Sequence, residues 1–169
     1  LIGSVTAATA EATGLPRGAQ VFAGVTDGCA GQFAAGAAAP GEWVSVLGTT
    51  LVLKGVTESP VSDPAGRIYS HRNPDGYWLP GGASNVGEAA LAYHFAQRDL
   101  AALDRMAATV MPSGLLIYPL VGRGERFPFV RPDATAFVIG DASDEGRRYG
   151  GYLEGVAYTE RLSYDVVGS

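Results

Sequence analysis

Cysteine is almost missing from this sequence: Cys29 stands alone, so no disulfide can close within the chain. A lone thiol fits a reducing compartment, and a cytoplasmic location is the expectation. Lysine is as scarce. Lys54 is the single one, and arginine carries nearly all the positive charge. The balance is acidic, with a formal net charge of −5 and an isoelectric point of about 4.9. A nucleic-acid surface needs clustered Lys and Arg, so that class of partner is excluded. No apolar run reaches the roughly eighteen residues of a membrane-spanning helix. No charged segment leads into an apolar one as in a secretory signal. Internal repeats, low-complexity tracts and heptads are absent. The two histidines, His71 and His94, have no Cys, His or acidic neighbours at metal-ligand spacing, and each reads as a loop or surface residue.

What is present is a core. Apolar residues make up 47% of 169 positions, about one domain's worth of chain. Ala19 to Val25 reads as a short buried strand and Asp27 to Ala38 as a small-residue helix. Pro40-Gly41 ends that helix and marks a domain boundary, dividing residues 1–40 from 41–169. Trp43 to Leu47 and Leu51 to Val56 predict a β-hairpin joined by Gly48-Thr49-Thr50. Arg67 to Ser70 and Tyr77 to Leu79 are short strands around the turn Asn73-Pro74-Asp75-Gly76. Pro80 to Asn85 reads as a glycine-rich loop feeding a helix over Gly87 to Gln97, and Leu100 to Ala108 as a second helix. Leu115 to Val121 and Ala136 to Ile139 are strands. A long helix runs to Val167 with Asp144 as its N-cap. Hairpin and crossover connections together predict an α/β or α+β domain with a mixed sheet.

Chemistry concentrates between Val21 and Leu53. Asp27 sits between a strand-like run and a helix-like run, where a carboxylate can take a proton from a bound hydroxyl. An Asp-Gly pair is also a common tight turn. Gly48-Thr49-Thr50 offers backbone N–H groups and hydroxyls to a phosphate, although the same residues also suit an ordinary hairpin turn. Together the two suggest phosphoryl transfer, in which a protein mainly positions groups and stabilises charge. Cys29, among small apolar residues, reads as core.

This stretch resembles the middle of an FGGY-family carbohydrate kinase, a branch of the actin-like ATPases. The TDG acid with its small-residue helix is similar to the family's catalytic aspartate segment, and LGTT to its second phosphate-binding loop. GRIYSHRNPDGYWLPGGASNVGEAAL (66–91), IYPLVGRGERFPF (117–129) and YLEGVAYTERL (152–162) resemble further family blocks in the family's order. The resemblance implies a ribonuclease-H-like fold with a mixed sheet and flanking helices. Residues 1–40 would be the end of the first kinase domain and 41–169 the first part of the second. It implies Asp27 as general base, with Thr26 shaping the turn and touching the sugar. Gly48, Thr49 and Thr50 would hold ATP phosphates with Mg²⁺, and Gly87 would sit near the nucleotide, with Gly82, Ser84 and Asn85 as further candidates. Glu125, Arg126, Glu154 and Gly155 are expected to be structural. The implied activity is phosphorylation of a small sugar. YSHR, WLPGGASN and YPLVGRGERFP are most similar to the D-ribulose kinase and xylulokinase-like subgroup. The expected partners are a small-molecule sugar and ATP, with a homodimer admissible and neither nucleic acid nor membrane. The family's Asp-x-Gly-Thr loop and its late Gly-Gly adenosine segment have no counterpart in these residues, which implies that the 169 residues by themselves do not turn over. A non-catalytic actin-like module that binds nucleotide or a partner is the alternative.

Overall fold

The computed structural model describes residues 1–168. The chain opens with β1 (Gly3–Ser4) and α1 (Ala7–Thr13), then β2 (Gln20–Val21), which pairs back on β1. The Thr6 side chain caps α1 by accepting the Thr9 N–H, and Gly14, at φ 75°, ends it. The expected buried strand over 19–25 is a two-residue exposed one, with Phe22 63% exposed. Its apolar side chains have no second layer to pack against within this stretch.

Helix α2 (Asp27–Ala34) follows, shorter than the expected run to Ala38. The hairpin is β3 (Trp43–Leu47) and β4 (Leu51–Gly55), closed by the Val46–Val52 and Leu47–Leu51 pairs. Next come β5 (Tyr69–Arg72) and β6 (Trp78–Ala83). These four strands form one sheet in the order β3-β4-β6-β5. Segment 80–83, expected as a loop, is therefore the inner end of a central strand. Pro80 lies opposite Ser70 of β5, and Gly81 pairs with both Lys54 and Tyr69. Its glycines answer to packing: a Cβ on Gly82 would lie 2.5 Å from the Phe127 ring.

Helices α3 (Ala89–His94) and α4 (Leu100–Ala108) precede the hairpin β7 (Leu116–Tyr118) and β8 (Phe137–Ile139). Helix α5 (Glu145–Val167) closes the described chain, capped by the Asp144 carboxylate accepting the Arg147 N–H. Every strand pairing among the described residues is antiparallel. The parallel pairs of a mixed sheet are not made within this stretch.

The largest core joins α3, α4, β7 and α5 through Phe95, Leu103, Leu115, Ile117, Tyr149 and Tyr152. Helix α5 lies so close to β7 that a Cβ on Gly155 would come 2.3 Å from the Ile117 carbonyl oxygen. Buried Glu154 accepts from the Ser113 N–H and hydroxyl, tying α5 to the segment before β7. A second core seats α2 on the four-stranded sheet through Cys29, Phe33, Val56 and Leu79. There the Gln32 amide donates to the Gly55 carbonyl at 3.0 Å. These contacts hold the first turn of α2 and the β3–β4 hairpin in one fixed relation.

Candidate active site

Asp27 is the first residue of α2. The Thr26 hydroxyl caps the helix by accepting the Cys29 N–H at 3.4 Å, and an Asp27 oxygen accepts the Gly28 N–H at 2.8 Å. The carboxylate is exposed and opens on a cavity of about 380 Å³. The walls include Gly28, Val46, Val52, Lys54 and Tyr69. The Val46–Val52 pair stands one pair before the hairpin turn. At about 3.3 Å per strand residue, Thr50 is roughly 7 Å along the strand from Val52. The cavity that Asp27 opens on is thus walled by the same hairpin that carries the Gly48-Thr49-Thr50 turn.

Asp27 and that turn do not share one cavity. Thr49 lines a neighbouring space of about 460 Å³ with Glu88, Ala89, Ala92, Tyr93 and Val121. The turn is braced from behind. Glu88 N–H donates to the Gly48 carbonyl, Ala89 N–H to the Thr49 carbonyl, and Gly48 N–H to the Thr50 carbonyl. Among the described residues the Thr49 and Thr50 N–H groups and hydroxyls make no hydrogen bond within the chain. Four donors are therefore open, the chemistry a phosphate needs.

Gly87 is brought onto this turn. A Cβ there would lie 2.5 Å from the Thr49 carbonyl oxygen and 2.6 Å from the Thr50 Cα. Only glycine lets the turn rest on the start of α3. The Glu88 and Ala89 amides are already taken by the turn, so Gly87 acts through packing rather than by aiming the helix start at an anion.

The other candidates in this segment are engaged elsewhere. Buried Glu125 accepts from the Ser84 hydroxyl at 2.8 Å, the Asn85 N–H at 2.8 Å, the Tyr118 hydroxyl at 2.6 Å and the Arg126 N–H at 2.9 Å. Burial first, and then this carboxylate, push the Tyr118 phenol upward. Ser84 and Asn85 are thus part of a buried polar lock, and Gly82 is filled by Phe127. Glu125 is structural, as its setting in the sequence implies. Arg126 is exposed and lies near Tyr69.

The sequence reading gives Lys54 and Tyr69 no chemical role and takes His71 for a loop or surface residue; His71 is instead a half-buried residue of β5. Lys54 is buried, and its ammonium lies 3.2 Å from His71 Nδ1, 3.5 Å from Cys29 Sγ and 5.0 Å from the centre of the Tyr69 ring. Burial lowers the His71 pKa, and the Lys54 charge adds to that. Burial raises the Tyr69 phenol; Arg126 opposes the rise, while Cys29 and Asp27 add to it. The signal for Lys54 was available: one cation inside the apolar run Leu51-Val52-Leu53-Lys54-Gly55-Val56. Among the described residues, no group of three His, Cys, Asp or Glu could hold a metal ion. Among the described residues no helix is long and apolar enough to cross a membrane.

Residues 43–167 match the model of the FGGY family of carbohydrate kinases, C-terminal domain. The chain belongs to this family. Gluconokinase of Bacillus subtilis (strain 168) is 28% identical over 153 residues, covering 80% of this chain and 30% of that protein. The structure of xylulose kinase from Rhodospirillum rubrum superposes with a TM-score of 0.75 at 29% identity, covering 99% of this chain and 36% of that one. A xylulose kinase from Lactobacillus acidophilus, at 16% identity, has a TM-score of 0.78 over 95% of this chain and 34% of its own, and shows the shared fold. The fold is that of the FGGY sugar kinases, the actin-like ATPase fold. The chain spans about a third of the length of these relatives.

Proposed function

We infer that this chain forms part of an ATP-dependent kinase acting on a sugar hydroxyl. Residues 1–40 close its first domain and 41–169 begin its second. The match to the family's C-terminal domain, starting at position 43, supports that division. The observation that carries the reading is Asp27, exposed on a cavity whose hairpin wall ends in a turn with open N–H groups.

The chemistry follows from that arrangement. The Asp27 carboxylate takes the proton of the sugar hydroxyl as its oxygen forms a bond to the terminal phosphorus of ATP. The bond from that phosphorus to its bridging oxygen breaks, and the electron pair leaves with ADP. Thr26 fixes the first turn of α2 and so aims Asp27. Thr49 and Thr50 receive phosphate oxygens on their open donors, Gly48 lets the backbone of the turn approach the phosphates, and Gly87 keeps the turn in place. Mg²⁺, when bound, would offset phosphate charge, and no cluster of carboxylates, histidines or cysteines among the described residues would cage it. A pentulose is the proposed substrate, D-ribulose ahead of D-xylulose. The gluconokinase relative makes gluconate the competitor to include.

In the whole protein, Asp27→Asn is expected to lower kcat by about 10²- to 10⁴-fold while leaving ATP affinity intact. The measurement is turnover over a panel of D-ribulose, D-xylulose and gluconate, with melting temperature in ATP·Mg as control. Near-normal turnover by the variant rejects the base assignment. Stabilisation by ATP with no product from any sugar would favour a nucleotide-binding module instead.

A further inference from the structure

Lys54 is the chain's single lysine and is 2% exposed. Its surroundings are unusual for a buried cation. No carboxylate among the described residues lies within ion-pair distance of it, although Asp27 lines the same cavity. The ion pairs among the described residues are Arg67–Asp63, Arg98–Glu145, Arg131–Asp133 and Arg161–Asp165, and none includes it. Its contacts are the neutral His71 nitrogen, the Cys29 sulfur and the Tyr69 ring face. Cys29 belongs to the first turn of α2, the positive end of that helix, where a cation is electrostatically unfavourable. An ammonium buried without a counter-ion is strongly unfavourable as well.

The fold nevertheless makes room for it. Lys54 pairs across the sheet with Gly81. A Cβ on Gly81 would stand 3.4 Å from Lys54 Cδ and Cε and 2.8 Å from the Leu53 carbonyl oxygen. Gly28, next to Asp27, would place its Cβ 3.6 Å from Lys54 Cε. The lysine stem thus lies between two glycines, on the wall of the cavity that Asp27 opens on.

We propose that Lys54 supplies the positive charge that receives the oxygens of the phosphoryl group during transfer, making the Asp27 cavity an anion site. The proposal rests on the kinase reading. A carboxylate base repels an incoming phosphoryl group, and a cation on the same wall offsets that repulsion. The lysine in turn gains from the bound anion the counter-charge that the chain withholds. It is a charge-stabilising residue in a partly water-excluded site, where such interactions are strongest.

The test uses the whole protein with K54Q, K54R and D27N. K54Q keeps a donor for His71 and removes the charge. Inorganic phosphate is titrated by calorimetry, and turnover is measured in parallel. K54Q is expected to weaken phosphate binding at least about tenfold and to lower kcat about 10²- to 10³-fold, with the sugar KM within about threefold. K54R is expected to restore most of both. Wild-type phosphate affinity and kcat in K54Q overturn the proposal. If D27N keeps turning over while K54Q loses phosphate, the base assignment falls and Lys54 stands; the reverse pattern removes Lys54 alone. For a K54Q protein that does not fold, the unaltered protein decides. Saturating phosphate is expected to slow reductive methylation of Lys54, located by mass spectrometry, and an unchanged rate overturns the proposal.

Discussion

His71 shows how one buried contact sets a pH response. Its Nδ1 faces the Lys54 ammonium at 3.2 Å, and burial and that charge both lower its pKa. An unfolded histidine takes up its proton near pH 6.5. As pH falls through that value the unfolded chain binds a proton that the folded chain refuses, so stability falls with it. The term is absent above about pH 7 and grows toward pH 5. His94 is shifted in the same sense, first by partial desolvation and then by Arg148, but it is exposed and water damps its contribution. H71Q is therefore expected to melt with a shallower loss between pH 7 and pH 5 than the unaltered protein, with the His94 share remaining. Thermal melts at several pH values check this, and an unchanged slope contradicts it. The opposite case, Asp63, is held well below the usual carboxylate range, first by its hydrogen bond to Arg67. Its contribution is present above about pH 4 and fades as pH drops below that.

At the scale of elements, glycine marks the closest approaches. In α5, a Cβ on Gly155 would meet the Ile117 carbonyl oxygen at 2.3 Å, and on Gly151 the Ile117 Cδ1 at 2.8 Å. Helix propensity alone favours alanine over glycine by about 1 kcal/mol. G155A is nevertheless expected to destabilise, by about 1–3 kcal/mol, because the obstacle is backbone and cannot swing aside. Denaturant unfolding measures the sign, and a stabilised variant refutes the packing account. G87A places its methyl against the Thr49 and Thr50 backbone and is expected to displace the turn. ATP affinity should drop about tenfold or more while D27N leaves it alone, a contrast that calorimetry reads directly. Helix α5 was legible in the sequence because Asp144 is a true cap before an apolar stripe; α4 was legible too, although its cap, Asp99, was not named there. The strand ending at Ala83 was not. Pro80-Gly81-Gly82 carries every local mark of a loop, and only its neighbours β4 and β5 make it a strand. Lys54 was missed for a related reason: its place beside Asp27 is fixed by a cross-strand partner 27 positions away, Gly81.

At the scale of the whole molecule, two units stand on the shared four-stranded sheet: α2 with its Cys29, Val56 and Leu79 core, and the helical layer of α3, α4 and α5. Asp27 rides on the first, and the threonine turn is fastened to the second through Glu88 and Ala89. The hairpin is the piece that belongs to both.

That fastening has a consequence for what the hairpin tip can greet. The carbonyls of Gly48, Thr49 and Thr50 each accept a hydrogen bond, while the amides of Thr49 and Thr50 have no partner among the described residues. A guest at the tip finds unpaired main-chain donors, while each carbonyl there already accepts a hydrogen bond. The tip is polarised by its backbone: it favours oxyanions over bare cations.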